Sequence, residues 1–463
     1  MNPLEIEVEE FRRLAGRVAE LAADYLASLR DRPGFPSVTG ESVSRIFHTA
    51  SPEGGEGPDV LDSLSRVADC SRPTGPRFFG YVLGSGEPVG AVADLFASVL
   101  NQNVTAWRSG PAAATIENTV IGWLAQAIGC RGFSGSLTGG GSSANLMGLA
   151  MARESRIPAN EAGTQPGVVY ASEEAHMSIG KAVALLGLGR KNLRLIPTDD
   201  QFRMSAEALE TAVSLDREMG KTPISVVATA GTVNTGAIDP LRDIAAIARR
   251  HGLWLHVDGA YGALAALAAP EKFAGLELAD SLSLDPHKWL YQSLDCGCLL
   301  YRDSAAARAA FSHTGDYARA LSQDPVEGFA FFEESLELSR RFRALKLWLS
   351  LRYHGINAFR QTIRANLEQA QRLARRIEGH SALQLLAPVE LSAVCFRYRQ
   401  GNLEDLEQRN AAILREVIRR GRVYISNATV RGQFALRACI VNHRTTDADV
   451  DLVVDEVLAA AAG

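Results

Sequence analysis

The segment Ala279-Asp280-Ser281-Leu282-Ser283-Leu284-Asp285-Pro286-His287-Lys288-Trp289 decides how the chain is read. Residues 281–284 alternate polar and apolar, the period of a strand, and Pro286 ends it by withholding an N–H and fixing φ. His287 and Lys288 therefore arrive just past a strand end. In open α/β sheets that edge is where ligands sit, so an amine held there beside an imidazole is placed to react with a carbonyl group. Alone, a His-Lys pair reads more readily as a surface turn. Its surroundings change the reading.

Immediately upstream, the apolar run 253–257 closes on Asp258-Gly259-Ala260-Tyr261. A carboxylate there shares the sheet edge with Lys288, although it would also serve as a cap for the next helix. Residues 168–171 form another short apolar run, and Ser172-Glu173-Glu174-Ala175-His176 reads as the helix start after it, which puts His176 at a strand's C-terminal edge. Further apolar runs at 193–197 and 225–229 alternate with helical patterns at 205–216 and 241–250. Such alternation predicts an α/β fold whose sheet is mostly parallel.

Residues 132–143 end in Thr138-Gly139-Gly140-Gly141-Ser142-Ser143 and run into a helical pattern reaching Arg153. Glycines allow close backbone approach, and serines at a helix start present hydroxyls and free N–H groups, which together make an anion site. The segment lacks the lysine of a GxxxxGK[ST] loop and the spacing of GxGxxG, so a single phosphate fits it better than a nucleotide.

The 463 residues are 46% hydrophobic and 22% charged, ordinary for a globular enzyme of two or three domains. A net charge of -5 without a basic stripe argues against nucleic acid or an anionic membrane as partner. Six cysteines stand singly except for Cys296-Gly297-Cys298, with no zinc spacing, so no metal is expected and reduced thiols in a cytoplasmic protein are. The first ten residues are acidic without an apolar h-region, and no apolar run reaches membrane-spanning length.

Residues 3–29 carry Leu4, Val8, Phe11, Leu14, Val18, Leu21, Tyr25 and Leu29 at helical spacing, a face for a partner subunit or for the chain's own domain. Aromatics and glycines mix at 76–86, and the polar stretch 101–107 is a candidate lining segment. Beyond residue 344 come two helical stretches to 378, strands at 391–398, 423–426 and 434–440, and a helix at 403–420. The division expected is a helical segment over 1–75, a large domain over 76–345 and a small C-terminal α/β domain over 346–463.

An anion cradle, a carboxylate at one strand end and a lysine at another are the parts that pyridoxal 5'-phosphate needs: a phosphate site, a partner for the pyridine nitrogen and a Schiff-base amine. At these residues the chain resembles the pyridoxal-phosphate-dependent group II amino-acid decarboxylases. Asp285-Pro286-His287-Lys288-Trp289 is similar to that family's lysine motif, His256-Val257-Asp258-Gly259-Ala260-Tyr261 to its aspartate motif, and Ser172-Glu173-Glu174-Ala175-His176 to the motif whose histidine stacks on the pyridine ring.

The resemblance implies an aspartate-aminotransferase-like, fold type I large domain with a mostly parallel seven-stranded sheet. It implies a homodimer with active sites at the subunit interface, and decarboxylation of an L-amino acid. Lys288, His176, Asp258 and His287 take the catalytic positions. Gly141, Ser142, Ser143, Thr232, Ala260 and Asp285 join them around the cofactor, Asp285 standing where many members have a phosphate-contacting asparagine. Tyr81, Val82, Asn103, Thr105 and Trp107 match pocket positions, Asn103 and Thr105 reaching across from the other subunit. Val82, Asn103 and Thr105 depart from the aromatic-specific pattern and favour a smaller or more polar substrate.

Amine-forming members carry a loop tyrosine upstream of an Arg-Arg-Phe-Arg run, here Arg340-Arg341-Phe342-Arg343. Counting back reaches Phe331, which has no proton to give, and a phenylalanine there accompanies relatives that consume oxygen and release an aldehyde, ammonia and peroxide. Tyr317 is the alternative if the loop is slipped. Arg437 raises an aminotransferase reading, since aminotransferases of this fold hold the substrate carboxylate with a C-terminal arginine. A relative that binds cofactor but serves only as an inactive partner subunit is the non-enzymatic alternative.

Overall fold

Strand-forming residues in the computed structural model, which describes residues 2–313, 324–401 and 405–462, gather into two sheets. The first is built from β1 (Ser134–Thr138), β2 (Val168–Ser172), β3 (Leu193–Ile196), β4 (Pro223–Thr229), β5 (Trp254–Asp258), β6 (Ser281–Leu284) and β7 (Gly297–Tyr301), in the order β1-β7-β6-β5-β4-β2-β3. Strands β3, β2, β4, β5 and β6 pair in parallel, and β7 runs antiparallel between β6 and β1. This is the mostly parallel α/β sheet expected from the alternation of apolar runs. Parallel strands feed all their C-terminal ends to one edge, so β2, β5 and β6 deliver His176, Asp258 and Lys288 to the same side.

β1 and β7 are additions that periodicity does not announce. β1 is Ser-Gly-Ser-Leu-Thr, poor in strand formers, and it is a strand because β7 pairs along its length. Gly135 is required there, since a Cβ would meet the Leu299 carbonyl and come within 3.0 Å of Leu300 Cδ2. The alternation in β6 also has a different meaning from a half-solvated strand. All four of its residues are buried, and Ser281 and Ser283 are polar because they serve buried polar groups.

The helix Gly141–Arg156 lies across β4 to β7, with Ala144, Met147, Met151 and Ala152 packing on Trp254, Leu299 and Tyr301. Its small residues let it sit close enough for its N-terminus to meet the strand ends. The second sheet, β8 (Leu383–Leu385), β9 (Ala393–Tyr398), β10 (Ser426–Val430) and β11 (Gln433–Cys439), is antiparallel in the order β10-β11-β9-β8. Residues 423–426, read as a strand, only lead into it, since β10 begins at Ser426. The helices Ile356–Glu378, Leu406–Arg420 and Asp447–Ala462 supply this sheet's core with Leu373, Val417 and Val454 against Val394, Phe396 and Leu436. Each such fully buried side chain stabilises by roughly 1.5–3 kcal/mol.

The leading helix is Val8–Ser28, and none of its residues is buried. Val8, Phe11, Val18 and Leu26 are exposed in the single chain, as are Val92, Leu95, Phe96 and Val99 of the helix Pro88–Leu100. Among the described residues no helix is long and apolar enough to cross a membrane.

Candidate active site

A cavity of about 260 Å³ opens at the C-terminal edge of the large sheet, with Gly140, Gly141, His176, Asp258, Asp285 and Lys288 on its walls. Asp258 closes β5 and is buried. Its Oδ1 accepts from Ser283 Oγ at 3.0 Å and from the Ala260 N–H at 3.2 Å, and its Oδ2 accepts from Asn145 Nδ2 at 2.9 Å. Three donors aimed at one carboxylate hold it in a single orientation. Its hydrogen bond to Ala260 makes the turn after β5, which answers the capping alternative: the same carboxylate shapes the turn and lines the cavity.

Lys288 lies in the short helix Pro286–Trp289, its ammonium 2.9 Å from Asp285 Oδ2. Asp285 Oδ1 is buried and has no hydrogen-bond partner among the described residues, and neither has Thr229 Oγ1. Both residues line the cavity. His287 donates from Nδ1 to the Cys296 carbonyl at 2.7 Å. Burial holds its pKa below the ordinary imidazole value, so the ring is neutral and the 3.6 Å approach of its Nε2 to Asp285 is no ion pair.

The loop at 84–86 closes onto this lysine segment. Gly84 N–H donates to the His287 carbonyl at 3.1 Å, and a Cβ on Gly84 would collide with that carbonyl and reach within 2.6 Å of the Lys288 carbonyl. Only glycine allows this contact.

His176 is the N-cap of the helix Met177–Leu185, so the helix begins after the segment 172–176 rather than within it. Its Nδ1 accepts the Ser178 N–H at 3.2 Å and lies 2.8 Å from Ser178 Oγ. Nδ1 is therefore an acceptor, and the neutral ring carries its proton on Nε2. Burial lowers the pKa of His176, outweighing the opposing pull of Asp258.

The anion cradle forms where β1 turns into the helix Gly141–Arg156. Gly140 has φ 139°, and a Cβ on Gly141 would lie 2.6 Å from Ala260 Cβ and 3.1 Å from Asp285 Oδ2. Glycine at both positions lets the helix N-terminus, with its free N–H groups, stand against the cavity, where Ser142 and Ser143 also lie. Glycine cradle, orphaned Asp285 and Thr229 oxygens, carboxylate and amine fit a phosphorylated pyridine aldehyde.

Other expected residues fall elsewhere. Thr232 is fully buried, with its hydroxyl engaged by Thr235 Oγ1 at 2.9 Å and by the Ala237 N–H at 3.1 Å; Thr229, Gly231 and Val233 line the cavity in its place. Phe331 is also fully buried, in a 3-10 turn, 4.8 Å from Phe329 by ring centroids and beneath the Arg340 guanidinium at 4.3 Å. It is a core residue, which corrects its reading as a substrate-facing loop position. Tyr317 lies outside the described residues.

Asn103, Thr105 and Trp107 are zipped to the same unit rather than to the cavity of their own chain. The Arg340 N–H donates to Asn103 Oδ1 at 2.9 Å, the Phe332 N–H to the Thr105 carbonyl at 3.2 Å, and the Trp107 N–H to the Phe329 carbonyl at 3.0 Å. Val82 packs at the margin of the main core. Tyr81, with φ 57°, stands beside Tyr424, their hydroxyls 3.1 Å apart.

Arg437 donates to the carbonyls of Asn234, Tyr81 and Val233. It clamps the cavity's rim together with its guanidinium spent on backbone, so it does not stand ready for a substrate carboxylate as an aminotransferase arginine would.

Sequence reasoning missed Asn145, Ser178 and Ser283. Asn145 left a signal: it is the one amide in Ala144-Asn145-Leu146-Met147-Gly148-Leu149, and a lone polar group on an otherwise apolar helix start needs a buried partner.

Comparison with known proteins gives the family. The family model described as pyridoxal-dependent decarboxylase conserved domain matches residues 59–399. An aromatic-L-amino-acid decarboxylase of Bacillus atrophaeus is 34% identical over 99% of this chain and 97% of its own length. A phenylacetaldehyde synthase of Petunia hybrida is 29% identical over 94% of this chain and 91% of its own. The crystal structure of Oryza sativa TDC with PLP and tryptamine superposes with a TM-score of 0.94 at 26% identity, covering 100% of this chain and 99% of that one.

Proposed function

We propose that this chain, which belongs to the pyridoxal-dependent decarboxylase family, converts an aromatic L-amino acid to its amine, works as a homodimer and resides in the cytoplasm. The family assignment makes it a carbon–carbon lyase with pyridoxal 5'-phosphate as cofactor. The aromatic substrate rests on the names of the relatives, against the smaller side chain that Val82, Asn103 and Thr105 suggested. The observation that carries the reading is the placement of Lys288, Asp258 and His176 around one cavity behind a glycine-lined helix start.

When bound, the cofactor supplies an aldehyde that joins the substrate amine and a ring that accepts the electron pair left as carbon dioxide departs. Asp258 would hold the ring nitrogen in its protonated form, because a fixed carboxylate nearby favours the charged state. The N–H groups of Gly141 and Ser142 would hold the phosphate, with the Ser143 side chain beside them. Ala260, beside Gly141 on the cavity wall, would give the ring an apolar contact. Lys288 gives the amine that anchors the aldehyde, and Asp285 keeps that amine within the cavity. His176 holds a proton at Nε2 on the cavity wall.

The homodimer is supported by the bare apolar faces of the helices Val8–Ser28 and Pro88–Leu100. It is supported too by Asn103 and Thr105, which sit away from their own chain's cavity and would complete the partner's. Six unpaired cysteines suit a reducing compartment.

The test is an amino-acid panel incubated with the holoenzyme while carbon dioxide, oxygen uptake and organic product are followed. Amine without oxygen consumption supports the proposal. Aldehyde with peroxide would establish the oxidative variant in place of amine formation, and release of carbon dioxide only from non-aromatic amino acids would overturn the substrate class.

A further inference from the structure

We infer that Asn145 is a positioning residue that ties the carboxylate at one end of the cofactor cavity to the buried imidazole of His256 behind it, fixing the orientation of Asp258 and the tautomer of His256 through one buried network. The inference deepens the function proposed above and rests on that reading for its consequence.

Asn145 is 1% exposed and is the fifth residue of the helix Gly141–Arg156, at the start of its second turn. Its Nδ2 donates to Asp258 Oδ2 at 2.9 Å and to Ser178 Oγ at 3.0 Å, and its Oδ1 accepts from His256 Nε2 at 2.9 Å. His256 Nδ1 is 2.8 Å from Ser281 Oγ, which accepts from Trp254 Nε1 at 2.8 Å. The two ends of this chain leave no freedom. An indole N–H can only donate, and an ionised carboxylate can only accept.

Reading between these ends assigns every hydrogen. Trp254 donates to Ser281, the Ser281 hydroxyl to His256 Nδ1, His256 Nε2–H to the amide oxygen of Asn145, and the Asn145 amide to Asp258. A flipped amide would place its oxygen against the Asp258 carboxylate, so the orientation is settled by charge. The second amide N–H fills a lone pair of Ser178 Oγ, whose own hydrogen goes to His176 Nδ1 because that nitrogen already accepts the Ser178 N–H. The Ser178 hydroxyl thereby joins its N–H in donating to the same nitrogen. His176 is left with its proton on Nε2, the nitrogen free of these donors.

Two further observations show a site shaped around this network. A Cβ on Gly148, one turn along the helix, would stand 2.5 Å from His256 Cε1 and 3.1 Å from Ser281 Oγ, so the helix is bare where the ring needs room. His256 is neutral, its pKa pushed down to about 4 by burial, which keeps Nδ1 available as the acceptor the network requires.

The experiment compares wild type with Asn145→Leu, Asn145→Asp and Ser281→Ala. Ring-nitrogen NMR of histidine-labelled apoprotein reports the tautomers of His176 and His256. A pyridoxal phosphate titration followed by visible absorbance reports affinity, and urea unfolding controls for loss of fold.

Wild type should show both rings protonated on Nε2. Asn145→Leu should mix the two tautomers at His256, leave His176 held by the Ser178 N–H, and raise the dissociation constant for pyridoxal phosphate about ten- to a hundredfold, the effect of removing a hydrogen bond to a charged group. Ser281→Ala should leave both rings on Nε2, because the Asn145 oxygen still takes the His256 proton. Should Asn145→Leu not fold, Asn145→Asp keeps the side chain's shape and sets a second carboxylate against Asp258; it should weaken the cofactor at least as much.

A folded Asn145→Leu with unchanged His256 nitrogen shifts and a dissociation constant within about twofold of wild type overturns the inference. An unaltered affinity in folded Asn145→Asp does the same. A wild type that takes up no pyridoxal phosphate would sink the proposed function, and the apoprotein tautomers would still decide the role of Asn145.

Discussion

Gly148→Ala reverses the sign that its place in a helix predicts. Glycine to alanine in a helix interior ordinarily stabilises by about 1 kcal/mol. At Gly148 the new methyl would overlap the buried His256 ring, 2.5 Å from Cε1, and press on Ser281 Oγ at 3.1 Å. The ring cannot swing away without giving up its hydrogen bonds to Ser281 and Asn145. Overpacking costs about 1–3 kcal/mol and each buried polar group left without a partner about 1–3 kcal/mol. After the helical gain is subtracted, the net loss with one polar group stranded should be about 1–5 kcal/mol. The control is Gly122→Ala in the helix Pro111–Ala127, where a Cβ meets nothing within 4 Å, and the helical gain should appear undiminished. Urea unfolding of the two apoproteins measures the difference. A Gly148→Ala protein as stable as Gly122→Ala, or more so, would refute the packing argument and the ordered network with it.

The remaining predictions concern other parts of the molecule. Arg340 and Glu117 form a buried ion pair, and Arg340 also donates to the carbonyls of Val104 and Leu137 at 2.9 Å; Arg340→Ala strands Glu117 and should cost about 3–5 kcal/mol in urea unfolding, whereas a loss under about 1 kcal/mol would mean that the pair contributes as little as a surface one. Burial holds both His256 and His443 at a pKa of about 4, below the ordinary 6.5, so the unfolded chain binds the extra protons between these values. Their contribution to stability is full above pH 6.5 and is lost as the pH falls toward 4, by about 3 kcal/mol per imidazole. Asp239, raised by burial to about 6 from 3.8, acts oppositely: its neutral form suits the fold, and stability is lost as the pH rises through that window. Two imidazoles outweigh one carboxyl, and His443→Gln should flatten the rise in stability between pH 4 and 6.5, a prediction that an unchanged or steeper slope contradicts. Removing residues 2–30 should shift sedimentation from dimer to monomer, since this deletes an apolar helix with no buried residue in the single chain; a truncated protein that still sediments as dimer would place the interface elsewhere.

The parallel sheet and the strand ends bearing His176, Asp258 and Lys288 were legible because buried parallel strands leave apolar runs and turn residues mark their ends. β1 and β7 were not, since β1 owes its strand to a neighbour's ladder rather than to its own Ser and Gly residues. The alternation of Ser281 and Ser283 was visible but misassigned: polar residues facing buried polar groups give the same pattern as polar residues facing water. Phe331 shows the limit of counting along a sequence. Spacing brought it to a loop position, and only packing shows its ring buried beneath Arg340. Thr232 and Thr229 differ in the same way, because which of two nearby hydroxyls faces a cavity depends on the turn between them. Asn145 was legible in principle as a lone amide among apolar neighbours, but its partners come from three separate segments that only the fold brings together.

The central claim is that Lys288 and Asp258 face one pyridoxal phosphate. Borohydride reduction of the protein loaded with pyridoxal phosphate, followed by peptide mass mapping, tests it directly: the account predicts a phosphopyridoxyl group on Lys288, with Asp258→Asn sharply weakening uptake at unchanged fold. Label fixed on another lysine while Lys288 stays unmodified, or undiminished uptake by the Asp258 variant, would contradict it.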